Sequence, residues 1–242
     1  MPTELFVADA KANTTATQLT HTVSDEFLAK KLTAPKIVAV PSSHTEQPIY
    51  AKVYYPSDYV EGETGKTRKA VIFNHGAGYL QNSHMGWSVY FREFMFHSLL
   101  ADEGYIVMDM DYRASKGYGR DWRTAIYRQM GTPETQDLAD GVKWMAQNAN
   151  VDTNAVGTYG GSYGGVMTFM ALFTAPELFQ SGAALRPGND PGNTLAWDGA
   201  EIVRRSDPTI IQTASSIRST YLAPTGESPR VRSVRKGYRP HH

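Results

Sequence analysis

The sequence predicts an α/β protein built on a doubly wound, mostly parallel sheet. Three observations predict it. Short apolar runs alternate with segments of helical length through the middle of the chain, which is the pattern of strand–helix–strand units. Two of those runs end directly in glycine loops, His75-Gly76-Ala77-Gly78 and Gly160-Gly161-Ser162-Tyr163-Gly164-Gly165, as buried parallel strands do. Right-handed crossovers between such units would place helices on both faces.

Taken in order, residues 1–48 are polar and weakly periodic, with a short strand near residues 5–8 and a turn or two of helix over 24–31. This segment is expected to be a remnant preceding the main domain. Residues 49–55 alternate apolar and polar positions, as a half-buried strand does. A charged, Gly-containing loop follows at 57–69, then the strand 70–73. Tyr90, Phe94 and Leu100 fall at helical spacing over 87–103, and Gly104 is placed to end that helix. Residues 105–110 read as the next buried strand. Thr132-Pro133-Glu134 reads as a helix start, with a capping hydroxyl, a first-turn proline and a first-turn acid. Leu138, Val142 and Met145 supply that helix with an apolar face. Strands over 155–159 and 182–185 flank an apolar helix beginning at Val166.

Composition narrows the function. The 24 Lys and Arg residues balance the 24 Asp and Glu, so no global charge argues for nucleic acid or an anionic membrane. No apolar run reaches the ~18 residues of a membrane helix, and the first ten residues do not read as a signal peptide. There are no cysteines, which excludes disulfides and thiol chemistry. No cofactor and no metal are expected. The compartment stays open: cytoplasmic, or periplasmic or secreted if an upstream signal was lost.

Gly160-Gly161-Ser162-Tyr163-Gly164 fits G-x-S-x-G, set between a strand and an apolar helix, as a nucleophile elbow requires. Such a bend is so sharp that the residues two before and two after the serine must be small; Gly160 and Gly164 meet that need. A helix start behind Ser162 adds a positive dipole end where an oxyanion would form. The competing reading is a glycine-rich phosphate loop, but the G-x-G-x-x-G spacing of a dinucleotide site is absent. In an elbow the oxyanion donors are the N–H after the nucleophile and an N–H from the earlier strand's loop, so Tyr163 and either Gly76 or Ala77 are the candidates. The His75 side chain is read as a brace for that loop, because the base of such a triad follows the serine in the chain.

Three runs together resemble the catalytic domain of the prolyl oligopeptidase (S9) peptidases: residues 71–80, Asp109-Met110-Asp111-Tyr112-Arg113 with Gly117-Tyr118-Gly119, and Tyr159-Gly160-Gly161-Ser162-Tyr163-Gly164-Gly165. The resemblance covers about residues 48–187. It implies an α/β-hydrolase fold that cleaves short peptides through Ser162, usually under a β-propeller. Tyr163 would give a backbone oxyanion donor and help wall the substrate pocket, Arg113 would be structural, and Arg186-Pro187 would open a pocket-lining segment. The implied organisation is a propeller remnant over 1–48, a hydrolase core over 49–187, and a divergent, irregular tail over 188–242. An esterase on the same fold and a non-catalytic fragment stay open as alternatives, as does oligomeric state.

The resemblance also exposes a gap. A triad needs a base and an orienting carboxylate, which in this family lie well downstream of the serine. Here the only histidines after Ser162 are His241 and His242, which read as a frayed end. The triad Asp and His are not identifiable. The chain is therefore expected to be truncated at both ends, incomplete at its C-terminal strands, out of frame beyond Pro187, and inactive alone. The basic residues Arg232, Arg235, Lys236 and Arg239 read as a solvated end.

Overall fold

The computed structural model describes residues 2–187 apart from Lys31, Ala77, Gly78, Tyr79 and Val89; the tail expected over 188–242 lies outside the described residues. The first strands, β1 (Phe6–Val7) and β2 (Thr17–Gln18), form a small antiparallel ribbon. Helix α1 (Asp25–Leu28) follows, with the Ser24 hydroxyl accepting from the Phe27 N–H at 3.2 Å, as a serine cap does. Then come β3 (Lys36–Val40), β4 (Ile49–Tyr54), β5 (Arg68–Asn74), α2 (Phe91–Asp102), β6 (Ile106–Met110), α3 (Arg120–Thr124), α4 (Thr132–Asn148), β7 (Val151–Gly161), α5 (Tyr163–Thr174) and β8 (Ser181–Leu185).

Strands β3 to β8 make one sheet in the order β3-β4-β6-β5-β7-β8. The pairs β5/β6, β5/β7 and β7/β8 are parallel, while β3/β4 and β4/β6 are antiparallel. The sheet is thus mostly parallel at the end that carries the glycine loops. Helices cover both faces. On one, Tyr54 and Val107 pack with Ala101, Phe94 and Leu100 of α2. On the other, Val53, Ile72, Met108 and Met110 pack with Leu138, Val142 and Met145 of α4 and Ala171 of α5. Alternation along β4 and β6 divides these sets, because neighbouring side chains point to opposite faces.

Three local expectations are corrected. Residues 36–40, read as part of a polar remnant, belong to the main sheet: β3 pairs with β4 from Lys36 opposite Val53 to Val40 opposite Ile49. Only Val40 of this strand is buried, and a solvated edge strand carries little apolar signal. Helix α2 begins at Phe91 rather than at residue 87. At its end Gly104 adopts φ +87°. Its N–H bonds the Ala101 carbonyl and the Tyr105 N–H bonds that of Leu100, each at 3.0 Å, the paired bonds of a Schellman stop. The start of α4 is capped by Glu134, whose Oε2 accepts the Gly131 N–H at 2.9 Å, and not by the Thr132 hydroxyl. Gly131 takes the cap position at φ +92°, which moves Thr132 and Pro133 one place into the helix.

Helix α2 buries a histidine that the sequence reading passed over. His97 is fully buried among the rings of Tyr54, Phe73 and Tyr159, at centroid distances of 4.9, 5.2 and 6.0 Å. Neither ring nitrogen has a hydrogen-bond partner among the described residues. Burial, with Lys52 adding charge repulsion, pushes its pKa down to about 3. The unfolded chain takes up this proton near pH 6.5 and the folded chain does not, so stability falls as pH drops from 6.5 towards 3. His97→Leu is expected to remove that loss. Its melting temperature relative to wild type should rise steadily between pH 7 and pH 4; a constant difference would contradict the assignment. Asp109 and Glu134, both pushed up to about 7 by burial, act with the opposite sign but are common to both proteins.

Candidate active site

Strand β7 runs into α5 through one residue. Ser162 has φ +56° and ψ −119°, a conformation that costs a non-glycine residue about 1–3 kcal/mol and persists only where its surroundings enforce it. Three hydrogen bonds do so. The Ser162 N–H donates to the Leu185 carbonyl of β8 at 2.9 Å, and the Ser162 carbonyl accepts from Gly165 and Val166 at 3.0 and 3.2 Å. One of the three, the bond to Leu185, depends on the pairing of β8 with β7.

Gly160 and Gly164 sit where no side chain fits. A Cβ on Gly160 would lie 2.6 Å from the Gly164 carbonyl oxygen. One on Gly164 would lie 2.8 Å from the Asn74 carbonyl carbon and 2.9 Å from the His75 oxygen. Asn74 is itself fixed, its amide donating to Thr158 Oγ1 at 2.9 Å and Thr168 Oγ1 at 3.1 Å. The end of β5, the end of β7 and the start of α5 are thus locked together around the serine.

The Tyr163 N–H opens α5 beside Ser162 and has no acceptor among the described residues, as expected of a first-turn helix donor. Its side chain runs inward, and the hydroxyl donates to Glu134 Oε1. Gly76 reaches the same region but is not free: its N–H donates to the Tyr90 hydroxyl at 2.9 Å. Ala77 lies outside the described residues. Of the two candidates for the second donor, Gly76 is therefore engaged in this arrangement, and Tyr90, read from sequence only as one apolar position of a helix, is the group that engages it. Its spacing gave no signal of this, since a hydroxyl is brought to the loop by tertiary folding alone.

His75 is buried and stacked on Tyr112, 4.2 Å between centroids. Nδ1 lies 2.9 Å from the Gly76 carbonyl, which makes it the donor there, and Nε2 lies 2.8 Å from Ser115 Oγ. The Tyr112 hydroxyl donates to the His75 carbonyl at 2.6 Å. Burial holds the imidazole pKa below its usual value. These contacts brace the loop. Asp111 extends the brace, accepting from the Asn82 N–H at 2.7 Å, the Ser83 N–H at 3.0 Å and the Tyr118 hydroxyl at 2.6 Å. Arg113 binds α4: Nε donates to Asp137 Oδ1 at 2.9 Å, a terminal nitrogen to the Pro133 carbonyl at 2.8 Å, and its backbone N–H to Asp137 Oδ2 at 2.7 Å. Each residue of Asp111-Tyr112-Arg113 thus ties the strand end to a different neighbour. Among the described residues no side chain hydrogen-bonds Ser162 Oγ, and no three His, Asp or Glu are grouped to hold a metal ion.

A six-stranded, mostly parallel sheet whose strand turns through a positive-φ serine into a helix is an α/β-hydrolase domain. Residues 90–202 match the model of the prolyl oligopeptidase family. Dipeptidyl peptidase 8 of Homo sapiens and of Mus musculus is 31% identical over 158 residues, 64% of this chain and 17% of those proteins. Acylamino-acid-releasing enzyme 1 of Oryza sativa subsp. japonica is 24% identical over 153 residues, 62% of this chain and 19% of its own length. Among solved structures, Porphyromonas gingivalis dipeptidyl peptidase 4 gives a TM-score of 0.61 at 23% identity, over 72% of this chain and 24% of that one. Pyrococcus horikoshii acylaminoacyl peptidase gives 0.59 at 23%, over 75% and 26%. The structural likenesses speak to the fold. Over residues 90–202 the chain is thus similar to the prolyl oligopeptidase family, and it spans less than one fifth of the length of these curated relatives.

Proposed function

We propose that this chain carries the nucleophile of a serine peptidase that cleaves short peptides by acyl transfer. Ser162 Oγ would attack the scissile carbonyl, the Tyr163 N–H at the start of α5 would stabilise the oxyanion, and water would release the acyl group. The observation that carries this reading is the positive-φ bend at Ser162, held by Leu185 and walled by two glycines that admit no Cβ. Such strain is expected where a side chain must be presented for chemistry. The names of the relatives support a peptide substrate. We read 49–187 as the hydrolase core, with β3 added at its edge, and 1–48 and 188–242 as flanking segments.

No described imidazole reaches Ser162: His75 is engaged by its own loop, and His97 is enclosed by aromatic rings. His241 and His242 lie outside the described residues. A serine without its base retains only about 10³–10⁴-fold acceleration over water. The chain alone is therefore expected to label weakly with a fluorophosphonate probe, and Ser162→Ala to abolish that residue of labelling. Strong labelling of the wild type would show that a base is present after all. Labelling that survives Ser162→Ala would remove Ser162 from its role.

A further inference from the structure

We propose that Glu134 is a positioning residue for the nucleophile bend, a buried carboxylate that joins the start of α4 to the start of α5 and so sets the orientation of the Tyr163 backbone N–H. This rests on the reading of Ser162 and Tyr163 given above.

Glu134 is fully buried. Its two oxygens serve two different helices: Oε2 accepts the Gly131 N–H at 2.9 Å, and Oε1 accepts the Tyr163 hydroxyl. A carboxylate used only as a helix cap needs the first of these bonds and would turn its other oxygen to water. Here the second oxygen is committed to the residue that directly follows Ser162. The α4 end of this connection is itself immobilised. The Thr135 hydroxyl donates to the Gly131 carbonyl at 2.6 Å, and Arg113 holds the Pro133 carbonyl and Asp137. Tyr163 is thus tethered at its side chain to a rigid point, and at its backbone it flanks the bend. Rotating the Tyr163 peptide moves the hydroxyl off Oε1, so the bond restrains the amide.

The ionised carboxylate accepts both donors at once. On protonation the Tyr163 hydroxyl, which can also accept, must exchange roles with an Oε1–H, so the bond at this end reverses direction. Burial opposes ionisation. The groups facing Glu134 are Asp137 on its own helix, whose charge also opposes it; Tyr163 on α5, whose hydrogen bond favours it; and Tyr112 on the segment after β6, beside Arg113, which is paired to Asp137. The balance holds the carboxyl up at about 7. Above that pH the connection carries a buried negative charge, and below it the charge is lost and the bond to Tyr163 reverses.

The test uses the full chain with ¹⁵N-tyrosine, and needs no catalytic activity. The Tyr163 amide resonance, recorded from pH 5 to pH 9, is expected to shift with a midpoint within about one unit of 7. Glu134→Gln should abolish that titration. Should this variant fail to fold, Tyr163→Phe with ¹⁵N-phenylalanine serves instead, because it keeps the Gly131 cap and the backbone N–H while deleting the hydroxyl. The amide at position 163 should then no longer titrate, with the melting temperature changed by only a few degrees. A merely structural glutamate would lower the melting temperature of Glu134→Gln without any titration of the wild-type amide, and that result overturns the proposal, as does a titration that persists in Tyr163→Phe. Failure of the Ser162 assignment shows separately, in the probe experiment, and leaves these resonances unchanged.

Discussion

Gly164→Ala is expected to lose about 4 kcal/mol or more of stability, a fall in melting temperature of about 10 °C or more. The new methyl group would enter the van der Waals shell of the Asn74 carbonyl, 2.8 Å from its carbon and 2.9 Å from the His75 oxygen. Both are backbone atoms at the end of β5, which is paired to β6 and β7 and pinned by the Asn74 amide. No flexible side chain can yield, so either the strand end or the start of α5 must move. Gly161→Ala is the matched control. The nearest atoms to its Cβ would be the Leu185 carbonyl oxygen at 3.7 Å, Arg186 at 3.9 Å and the Leu185 Cβ at 4.0 Å, ordinary contacts that should cost less than about 1 kcal/mol. Thermal unfolding of the two variants side by side checks the claim. Equal melting temperatures would mean that the bend is not a close approach of backbones.

Arg113→Ala is expected to cost about 3–5 kcal/mol, because it leaves the buried Asp137 carboxylate without its counter-charge. Asp137 is fully buried, and Arg113 contacts it at 2.8 Å as well as through its own backbone N–H. Burial already raises the Asp137 pKa, against the lowering effect of Arg113. Deleting the guanidinium should raise it further. A carboxyl whose folded-state pKa lies above its unfolded value gives stability that is present at low pH and lost as pH rises through the gap. The deficit of Arg113→Ala should therefore be largest at pH 8 and shrink towards pH 4. Adding Asp137→Asn should restore part of the loss at pH 8. Urea unfolding of the four proteins of this cycle gives the coupling directly; a coupling near zero would contradict a buried, mutually dependent pair.

The alternation of strands and helices was legible because each central element is buried on a repeating face. The five residues of β6 are all buried, and its run Ile106-Val107-Met108 is apolar without interruption. The bend was legible because its demand is steric and local: only glycine fits two residues either side of Ser162, and glycine leaves a mark in the chain. Arg113 entered through family resemblance rather than through any local pattern. What escaped was set by contact between segments far apart. Strand β3 is placed chiefly by hydrogen-bonding β4, with Val40 alone fully buried, and backbone pairing has no side-chain signature at a solvated edge. Tyr90 meets Gly76, fourteen positions earlier, and Glu134 meets Tyr163, twenty-nine positions later.

The sequence by itself therefore determined where the chain must bend and which hydroxyl the bend presents, since excluded volume around Cβ acts within a few residues. Only the tertiary structure decided which donors near that hydroxyl are free. A polar atom's partner is chosen by whatever the fold carries to within about 3 Å of it, and no spacing along one segment encodes that distance.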